Sequence, residues 1–388
     1  MSVKSVDVFI VGTGLAGYWM AEALRKEHSE LEMLVATQDS GDFYHKPQLS
    51  QCYALNKTEK QLSMKSAEEM SKALKAEVLT FTEVVKLNTK THHAELKQGD
   101  QVITVAYKIC VLAVGSEPVR VFQHKTLSSI NTLADLQHVR KSFKEHQKVA
   151  ILGSGLVGTE MAFDLNMGKH QVSLITMESW PLQRLLPQAL GQIIIEKFHS
   201  LGIKWFGDQA VESFHDQGFK SKDGLFSADH YLSCIGIKPN TSLATNAGLS
   251  VDQGIKVNQW GQTSQANVFA LGDCASVLGQ NRCYVAPIRH QIKAMTPAVL
   301  ALLKDQSLES LSPIQYPAMP VMCKNKSLPI RCAHHPKWQG QWDEVVVNGE
   351  DGFAIARNEQ QVVEAFACVG KEIEHLWTSL LKQMDPYL

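Results

Sequence analysis

Several features that would narrow the function are missing from this sequence. Its eight cysteines form no C-x-x-C pair, which argues against a zinc site and a disulfide scaffold. A formal net charge of -1 over 388 residues provides no overall attraction for nucleic acid or an anionic membrane. No apolar stretch is long enough to span a bilayer, and residues 1–7 contain no apolar signal core. We therefore expect a cytoplasmic protein that binds neither nucleic acid nor membrane.

The chain does contain two glycine-rich turns, each after a short apolar run that predicts a β-strand. The first turn consists of Gly12, Thr13, Gly14, Leu15, Ala16 and Gly17. The second consists of Gly153, Ser154, Gly155, Leu156, Val157 and Gly158. In this pattern the first glycine permits the tight turn, the second admits a pyrophosphate, and the third packs the following helix onto the strand. Apolar helices are expected at 15–24 and 156–165, with their N-terminal amides facing the anion. The doubling predicts two bound dinucleotides.

Acidic residues about 20 positions beyond each turn are candidates for binding ribose hydroxyls. Asp39 follows the predicted strand 31–36. In the second repeat Thr176 ends the predicted strand 171–176, and Glu178 lies just beyond it. No Arg or Lys lies between Thr176 and Gln183 to bind a 2′-phosphate, which favours NADH over NADPH, although Arg184 leaves NADPH open.

Other predicted strands end in small residues, as a sheet that meets a ligand at its carboxyl edge requires. Residues 107–116 end in Gly115 and Ser116, and residues 266–275 deliver Asp273 directly after Gly272. A carboxylate at a strand end can accept hydrogen bonds from a polyol, and the neighbouring glycine lets a bulky cofactor lie against the backbone. Residues 228–240 close the second nucleotide-binding fold.

Together these features resemble the FAD-dependent pyridine nucleotide-disulfide oxidoreductase family over nearly the whole chain. The resemblance implies an α/β fold with two nested Rossmann-like domains, for FAD and NAD, and a small α+β C-terminal domain. It divides the chain into an FAD-binding domain at 1–117 and 241–317, an NAD(H)-binding domain at 118–240 and a C-terminal domain at 318–388. Because the last domain is short, a monomer is expected.

The resemblance also assigns residues to each cofactor. FAD is expected at Gly12, Thr13, Gly14, Leu15, Ala16, Gly17, Asp39, Lys46, Pro47, Val84, Val85, Gly115, Ser116, Gly272, Asp273 and Lys324. NAD(H) is expected at Gly153, Gly155, Leu156, Val157, Gly158, Glu160, Thr176, Glu178 and Gly236. Glu160 matches the glutamate beneath the nicotinamide pocket of relatives. The alternative for Glu160 is an acid in the first turn of the helix, stabilised by the helix dipole.

Residues 43–52 narrow the branch of the family. Disulfide reductases of this fold carry a close cysteine pair that relays electrons, whereas this segment contains a single cysteine, Cys52. Its pattern resembles rubredoxin reductases and flavorubredoxin reductases through Tyr44, Lys46, Pro47, Leu49 and Ser50. Residues 319–324 resemble them too, although Lys324, Asn325 and Lys326 stand where a Lys-Thr-Pro is usual. This departure leaves the electron acceptor open.

The resemblance implies an enzyme that passes hydride from NADH to FAD and then single electrons to rubredoxin or a similar acceptor. Lys46 near flavin N5 and Lys324 near the pyrimidine edge would favour the reduced flavin; the alternative for each is a solvent-facing lysine. A locally basic face is expected to dock an acidic rubredoxin. Three other functions stay open: a ferredoxin-type reductase, a slow-turnover redox sensor, and a peroxide or oxygen reductase that uses Cys52.

Two further expectations concern structure rather than chemistry. Trp338, Trp342 and Trp377, with the run of valines at 345–347, are expected to build the core of the C-terminal domain. The histidine doublets at 92–93 and 334–335 lack the spacing of helix-borne metal ligands, so no metal site is expected.

Overall fold

A computed structural model describes residues 3–122, 124, 126–373 and 375–388. The chain forms two compact units. The first comprises Met1–Lys46, Gln61–Glu117 and Lys238–Tyr316, and the second comprises Pro47–Lys60, Pro118–Ile237 and Pro317–Leu388. The second unit thus combines the predicted NAD(H)-binding region, the predicted C-terminal domain and a short segment, Pro47–Lys60, from the first 117 residues. Among the described helices, none has the length and apolar character that crossing a bilayer requires.

The first unit is built on a sheet whose parallel part contains the predicted strands and one strand that was not predicted, Glu77–Leu79. The order is Glu77–Leu79, Met33–Ala36, Val3–Val11, Gln101–Leu112 and Val268–Ala270. Residues 8–11 are continuously buried, because both faces of a central parallel strand are covered. The sheet continues antiparallel from Gln101–Leu112 through His93–Gln98 and Glu83–Asn88. Shorter strands are Phe43–Tyr44, Ser63–Lys65, Ile255–Val257, Ala275–Val277 and Gln280–Asn281.

Helices cover this sheet and build the core of the first unit. They are Leu15–Glu27, Ala67–Leu74, Ser242–Asn246 and Val285–Leu302, with 3-10 turns at Lys46–Ser50 and Gly272–Cys274. Tyr18 and Met20 of the first helix share one buried cluster with Met295 and Val299 of the last. The short helix Glu59–Leu62 and the strands Ser116–Pro118 and Ile237–Pro239 lie where the chain passes from one unit to the other.

The second unit repeats the parallel arrangement. Its main sheet has the order Leu127–Ser128, His230–Ser233, Lys148–Leu152, Gln171–Ile175 and Lys204–Phe206. The helices are Leu133–Ser142, Leu156–Met167 and Gln188–Ser200. An antiparallel sheet follows, formed by Val211–His215, Gly218–Ser221 and Gly224–Phe226. The two parallel sheets with their helices confirm the predicted α/β class.

The last 72 residues of the second unit, Pro317–Leu388, form an antiparallel sheet and one helix, Leu376–Leu381. The strand order is Val321–Cys323, Ile330–His334, Val363–Val369, Asp351–Arg357 and Glu344–Asn348. This sheet shares a buried cluster with the helix Gln188–Ser200, and Trp342 packs against that cluster. The prediction for the three valines is wrong: Val345, Val346 and Val347 are 41%, 40% and 46% exposed, because they lie on an edge strand.

Candidate functional site

The two glycine turns adopt the same backbone arrangement. Gly12 and Gly153 have φ angles of +111° and +98°, which favour glycine. A Cβ on Gly12 would collide with the carbonyl of Ala113, and one on Gly153 would lie 2.6 Å from the carbonyl oxygen of Cys234. Gly17 and Gly158 pack just as tightly against the first glycine of their own turn, which lets each helix approach its strand. The first and third glycines therefore serve the structural purposes that their spacing predicts.

The middle glycine of each turn faces open space. A Cβ on Gly14 or Gly155 would meet no atom within 4 Å. These glycines are also the N-caps of Leu15–Glu27 and Leu156–Met167, whose first turns have no side-chain cap and no acidic residue. The N-terminal amides and the partial positive charge of each helix are thus available to an anion. Both turns fit the pyrophosphate of a dinucleotide.

Asp39 lies beside the first glycine turn. Its Oδ1 accepts hydrogen bonds from the hydroxyls of Thr37 (2.8 Å) and Thr13 (3.4 Å) and from the backbone N–H of Gly41 (2.9 Å). The three bonds fix the carboxylate at the carboxyl end of the second strand. This arrangement supports Asp39 as the candidate for an adenosine ribose, a role that stays a prediction.

Ser116 and Asp273 come together although 157 residues separate them. The Ser116 hydroxyl donates to Oδ2 of Asp273 at 2.8 Å. The two residues follow the neighbouring strands Gln101–Leu112 and Val268–Ala270. Gly272 has a φ of +75°, and a Cβ on it would lie 2.9 Å from the side chain of Ala16. Gly115 likewise has a positive φ of +64°. The structure therefore gathers the first glycine turn and both predicted strand ends at one edge of the sheet.

Lys46 lies near this same edge of the first unit. Burial, and then the Asp273 carboxylate, raise the pKa of Cys283 to about 12, whereas the charge of Lys46 opposes that rise. Lys46 is thus within electrostatic range of Cys283 and of the turn that carries Asp273. Pro47 follows it in the 3-10 turn Lys46–Ser50.

Val84 and Val85 lie on the strand Glu83–Asn88, and Val85 is 43% exposed. This strand starts just after Thr82, whose N–H donates to the carbonyl of Thr37 at 2.7 Å. The chain therefore brings the segment that contains Val84 and Val85 next to the segment that contains Asp39. Their contact with FAD stays a prediction.

The second unit repeats the hydroxyl and carboxylate arrangement of the first. Oε2 of Glu178 accepts hydrogen bonds from the Ser154 hydroxyl and from the Thr176 hydroxyl, the latter at 3.1 Å. Ser154 is fully buried in the second glycine turn. The predicted Thr176 and Glu178 thus lie beside the predicted nucleotide turn. Gly236, with a φ of +117°, accepts a bond from the N–H of Val119 at 3.0 Å.

Glu160 lies on the helix Leu156–Met167 and is 4% exposed. Its Oε2 accepts a bond from the Ser50 hydroxyl at 2.5 Å, and its Oε1 accepts one from the backbone N–H of Lys324 at 2.7 Å. Nζ of Lys324 lies 3.7 Å from Oε1. Burial raises the pKa of Glu160, while Lys324 and the Ser50 hydroxyl oppose that rise. The alternative of a first-turn acid is wrong, because Glu160 is the fifth residue of the helix.

Cys52 has the properties of a structural thiol. It is 1% exposed, and burial raises its pKa to about 11. A reactive cysteine needs an accessible thiolate, so this thiol is poorly suited to peroxide chemistry.

Sequence reasoning missed three residues that support these sites. Gln291 accepts a bond from the N–H of Gly272 at 2.7 Å and donates to the hydroxyl of Tyr316 at 2.8 Å. Asp164, one helical turn beyond Glu160, accepts bonds from backbone N–H groups at 53 and 54. No sequence pattern marks Gln291, Tyr316 or Asp164, because their partners are distant along the chain or belong to the backbone.

Similarity to known proteins defines the class. Residues 6–299 match the family model of the pyridine nucleotide-disulphide oxidoreductases, and the chain belongs to that family. It is therefore an oxidoreductase. Residues 313–384 match a second family model, the rubredoxin binding C-terminal domain.

Similar proteins of known name indicate the branch of this family to which the chain belongs. The chain is 34% identical to a rubredoxin-NAD(+) reductase of Acinetobacter baylyi, over 83% of this chain and 84% of that protein. It is 31% identical to a rubredoxin-NAD(+) reductase of Alcanivorax borkumensis, over 95% of this chain and 96% of the relative. A nitric oxide reductase FlRd-NAD(+) reductase of Vibrio vulnificus is 28% identical, over 98% of both chains. The predicted place among rubredoxin and flavorubredoxin reductases is confirmed.

Solved structures share the fold. NADH:rubredoxin oxidoreductase from Clostridium acetobutylicum matches with a TM-score of 0.79 and 21% identity, over 98% of this chain and 95% of that one. The covalent putidaredoxin reductase-putidaredoxin complex matches with a TM-score of 0.81 and 22% identity, over 97% and 93%. These similarities establish the two-dinucleotide fold throughout the chain.

Proposed function

We propose that this protein is an NADH-dependent rubredoxin reductase that uses FAD. The observation that carries this function is the presence, in one chain, of two dinucleotide turns and a match to the rubredoxin-binding domain over 313–384. Two relatives at 34% and 31% identity are named rubredoxin-NAD(+) reductases. When bound, FAD supplies the conversion between hydride, a two-electron donor, and the single electrons that an iron centre accepts.

Residues of the first unit hold and tune the flavin nucleotide in this proposal. The amides after Gly14 bind the pyrophosphate, Asp39 binds the adenosine ribose, and Asp273, oriented by the Ser116 hydroxyl at 2.8 Å, binds the ribitol. Lys46 places a positive charge on this side of the unit, which favours the more electron-rich state of the cofactor. The FAD-binding region comprises 1–117 and 241–317.

Residues of the second unit hold NADH. The amides after Gly155 bind its pyrophosphate, and Glu178 accepts hydrogen bonds from the ribose hydroxyls. The same carboxylate would repel the 2′-phosphate of NADPH, which gives a preference for NADH. Glu160 is buried and joins the nucleotide-binding helix to Ser50 and Lys324, so it orders the floor of the nicotinamide site. The NAD(H)-binding region comprises residues 118–240. The C-terminal domain comprises residues 318–388.

Electrons pass to the acceptor without a thiol relay in this scheme. The segment 43–52 contains a single cysteine, Cys52, and its thiol is buried with a raised pKa. We also propose that the enzyme is cytoplasmic and monomeric.

Anaerobic acceptor kinetics test the function. FAD-loaded protein is mixed with NADH and then with either a rubredoxin or a [2Fe-2S] ferredoxin, and reduction of each iron protein is followed by its visible absorbance. We expect fast reduction of rubredoxin at a rate that depends on its concentration, and much slower reduction of ferredoxin. Fast reduction of ferredoxin alone would assign the ferredoxin-type function instead. A flavin that is bleached by NADH but passes electrons slowly to both proteins would indicate a redox sensor.

A further inference from the structure

One segment of the first 60 residues belongs by its contacts to the second unit. Pro47–Lys60 follows Lys46, the last residue of the first stretch of the first unit, and precedes Gln61, where the chain returns to that unit. The peptide bond between Lys46 and Pro47 is therefore the point at which the chain leaves the first unit. Whatever holds this segment also restricts where Lys46 can lie.

Two buried carboxylates on the nucleotide-binding helix hold the segment. Glu160 and Asp164 lie one turn apart on Leu156–Met167, and each is 4% exposed. Glu160 accepts a bond from the Ser50 hydroxyl at 2.5 Å. Asp164 uses both oxygens: Oδ1 accepts from the N–H of Ala54 at 2.8 Å, and Oδ2 accepts from the N–H of Tyr53 at 3.3 Å. A buried carboxylate that accepts two backbone N–H bonds defines the position of that backbone closely.

Packing around Tyr53 supports the same attachment. A Cβ on Gly168, at the end of the helix, would lie 2.7 Å from the Tyr53 ring, so the ring occupies the space that this glycine leaves. The guanidinium carbon of Arg140 lies 4.6 Å from the ring centroid. Arg140 also donates to the carbonyl of Lys57 at 3.1 Å and pairs with Glu59 at 3.1 Å. The rest of the second unit thus contacts this segment at several positions from Ser50 to Glu59.

The anchoring pair lies on the helix whose first turn binds NADH in the proposed function. Asp164 is eight residues beyond Leu156, where that helix begins. Burial raises the pKa of Asp164, while the N–H groups at 54 and 53 and the charge of Arg140 oppose that rise. Asp164 itself is too far along the helix to contact a pyrophosphate at its N-terminus. Its effect on the redox centre must therefore pass through the segment that it holds.

We propose that Asp164 is a positioning residue that fixes Pro47–Lys60 to the nucleotide-binding helix and thereby sets the position of Lys46 for its action on the flavin. The inference rests on the proposed function, because it requires that Lys46 tunes bound FAD. Asp164 contacts neither cofactor in this account.

The test is a double-mutant cycle with Asp164→Ala, Lys46→Met and the double variant, each purified with FAD. For each protein, the midpoint potential and visible spectrum of the flavin are measured without any acceptor protein. The rate constant of flavin reduction by NADH is measured by stopped flow. Asp229→Ala is the matched control, since Asp229 also accepts a backbone N–H bond, from Lys148 at 2.8 Å, but has no contact with Pro47–Lys60 among its described bonds.

We expect Lys46→Met and Asp164→Ala to shift the midpoint potential in the same direction, towards more negative values. Both should slow flavin reduction, by up to about 100-fold for a reacting group that is displaced by about 1 Å. The double variant should resemble Lys46→Met, because Asp164 acts through Lys46. Asp164→Asn should recover part of the loss, since its amide oxygen can still accept one of the two N–H bonds.

Three results would overturn the inference. The first is an Asp164→Ala protein whose midpoint potential and reduction rate match those of Asp229→Ala. The second is a double variant in which the rate effects of Asp164→Ala and Lys46→Met multiply. The third is a Lys46→Met protein whose potential and rate match those of the wild type. If Asp164→Ala does not fold or retain FAD, the same cycle is run with Asp164→Asn. Failure of the proposed function is seen separately, as a wild-type enzyme that does not reduce rubredoxin.

Discussion

The nucleotide preference of this enzyme is predicted to depend on the orientation of Glu178. Its Oε2 accepts hydrogen bonds from the hydroxyls of Ser154 and Thr176. In the proposed function, Oε1 is therefore the oxygen that accepts a hydrogen bond from the ribose. In Glu178→Gln the two hydroxyls would bind the amide oxygen, so the amide NH2 would face the ribose. A ribose hydroxyl that donates a hydrogen bond to the carboxylate would then meet another donor.

The expected cost follows from the bond that is lost. A hydrogen bond to a charged group contributes about 1.5–3 kcal/mol, and about 1.4 kcal/mol corresponds to a tenfold change in Kd. Glu178→Gln should therefore raise the Kd for NAD(+) by about 10- to 100-fold. The Kd for NADP(+) should fall or stay the same, because the carboxylate that repels the 2′-phosphate is gone.

Isothermal titration of the FAD-loaded protein with NAD(+) and NADP(+) measures both constants. Glu212→Gln, at an exposed position of the antiparallel strand Val211–His215, is the control that removes one charge from the same unit. A Kd for NAD(+) within about twofold of the wild type in Glu178→Gln, well below the loss expected for a charged hydrogen bond, would refute this reasoning.

Three other predictions concern stability, the lone thiol and docking. Burial lowers the pKa of His334 to about 4, so between pH 6.5 and 4 the unfolded chain binds more protons than the folded protein. The free energy of unfolding should fall over this range by up to about 3 kcal/mol from this residue. His334→Gln, which can still donate to the carbonyl of Leu185, should lose that part of the pH dependence in denaturant titrations at pH 7 and 4.5. The Cys52→Ser variant should reduce rubredoxin at the wild-type rate. A large loss of this activity would instead support a mechanism that uses the Cys52 thiol. The second-order rate constant for rubredoxin should decrease between low and physiological ionic strength if a basic face docks an acidic partner, and a constant rate would contradict that docking.

Sequence reasoning located the main elements because their patterns are local. Gly12 and Gly153 need a positive φ that glycine adopts readily, and the residues that follow each turn have a regular apolar spacing. The carboxylates Asp39 and Glu178 lie at a fixed distance from those turns, so their neighbourhood could be predicted as well. These features depend on residues within about 25 positions of one another, the separation typical of one βαβ unit.

Contacts between distant segments could not be predicted in this way. Asp164 binds backbone N–H groups that lie 111 and 110 residues earlier, and these bonds do not specify which side chains stand at those positions. Gln291 likewise lies within an apolar helix and shows its purpose only when the N–H of Gly272 is nearby. The prediction for the valines at 345–347 was wrong for the opposite reason. Their apolar character predicts burial, but their place at the edge of a sheet decides their exposure.

The central claim is that one chain holds a flavin and lets NADH reduce it directly. The most direct measurement is anaerobic titration of the purified protein with NADH, followed by the visible absorbance of the flavin. The account predicts a yellow protein with about one FAD per chain, as expected for a single FAD-type glycine turn, that is bleached by about one equivalent of NADH. A colourless protein that does not take up added FAD, or a bound flavin that NADH does not bleach, would contradict it.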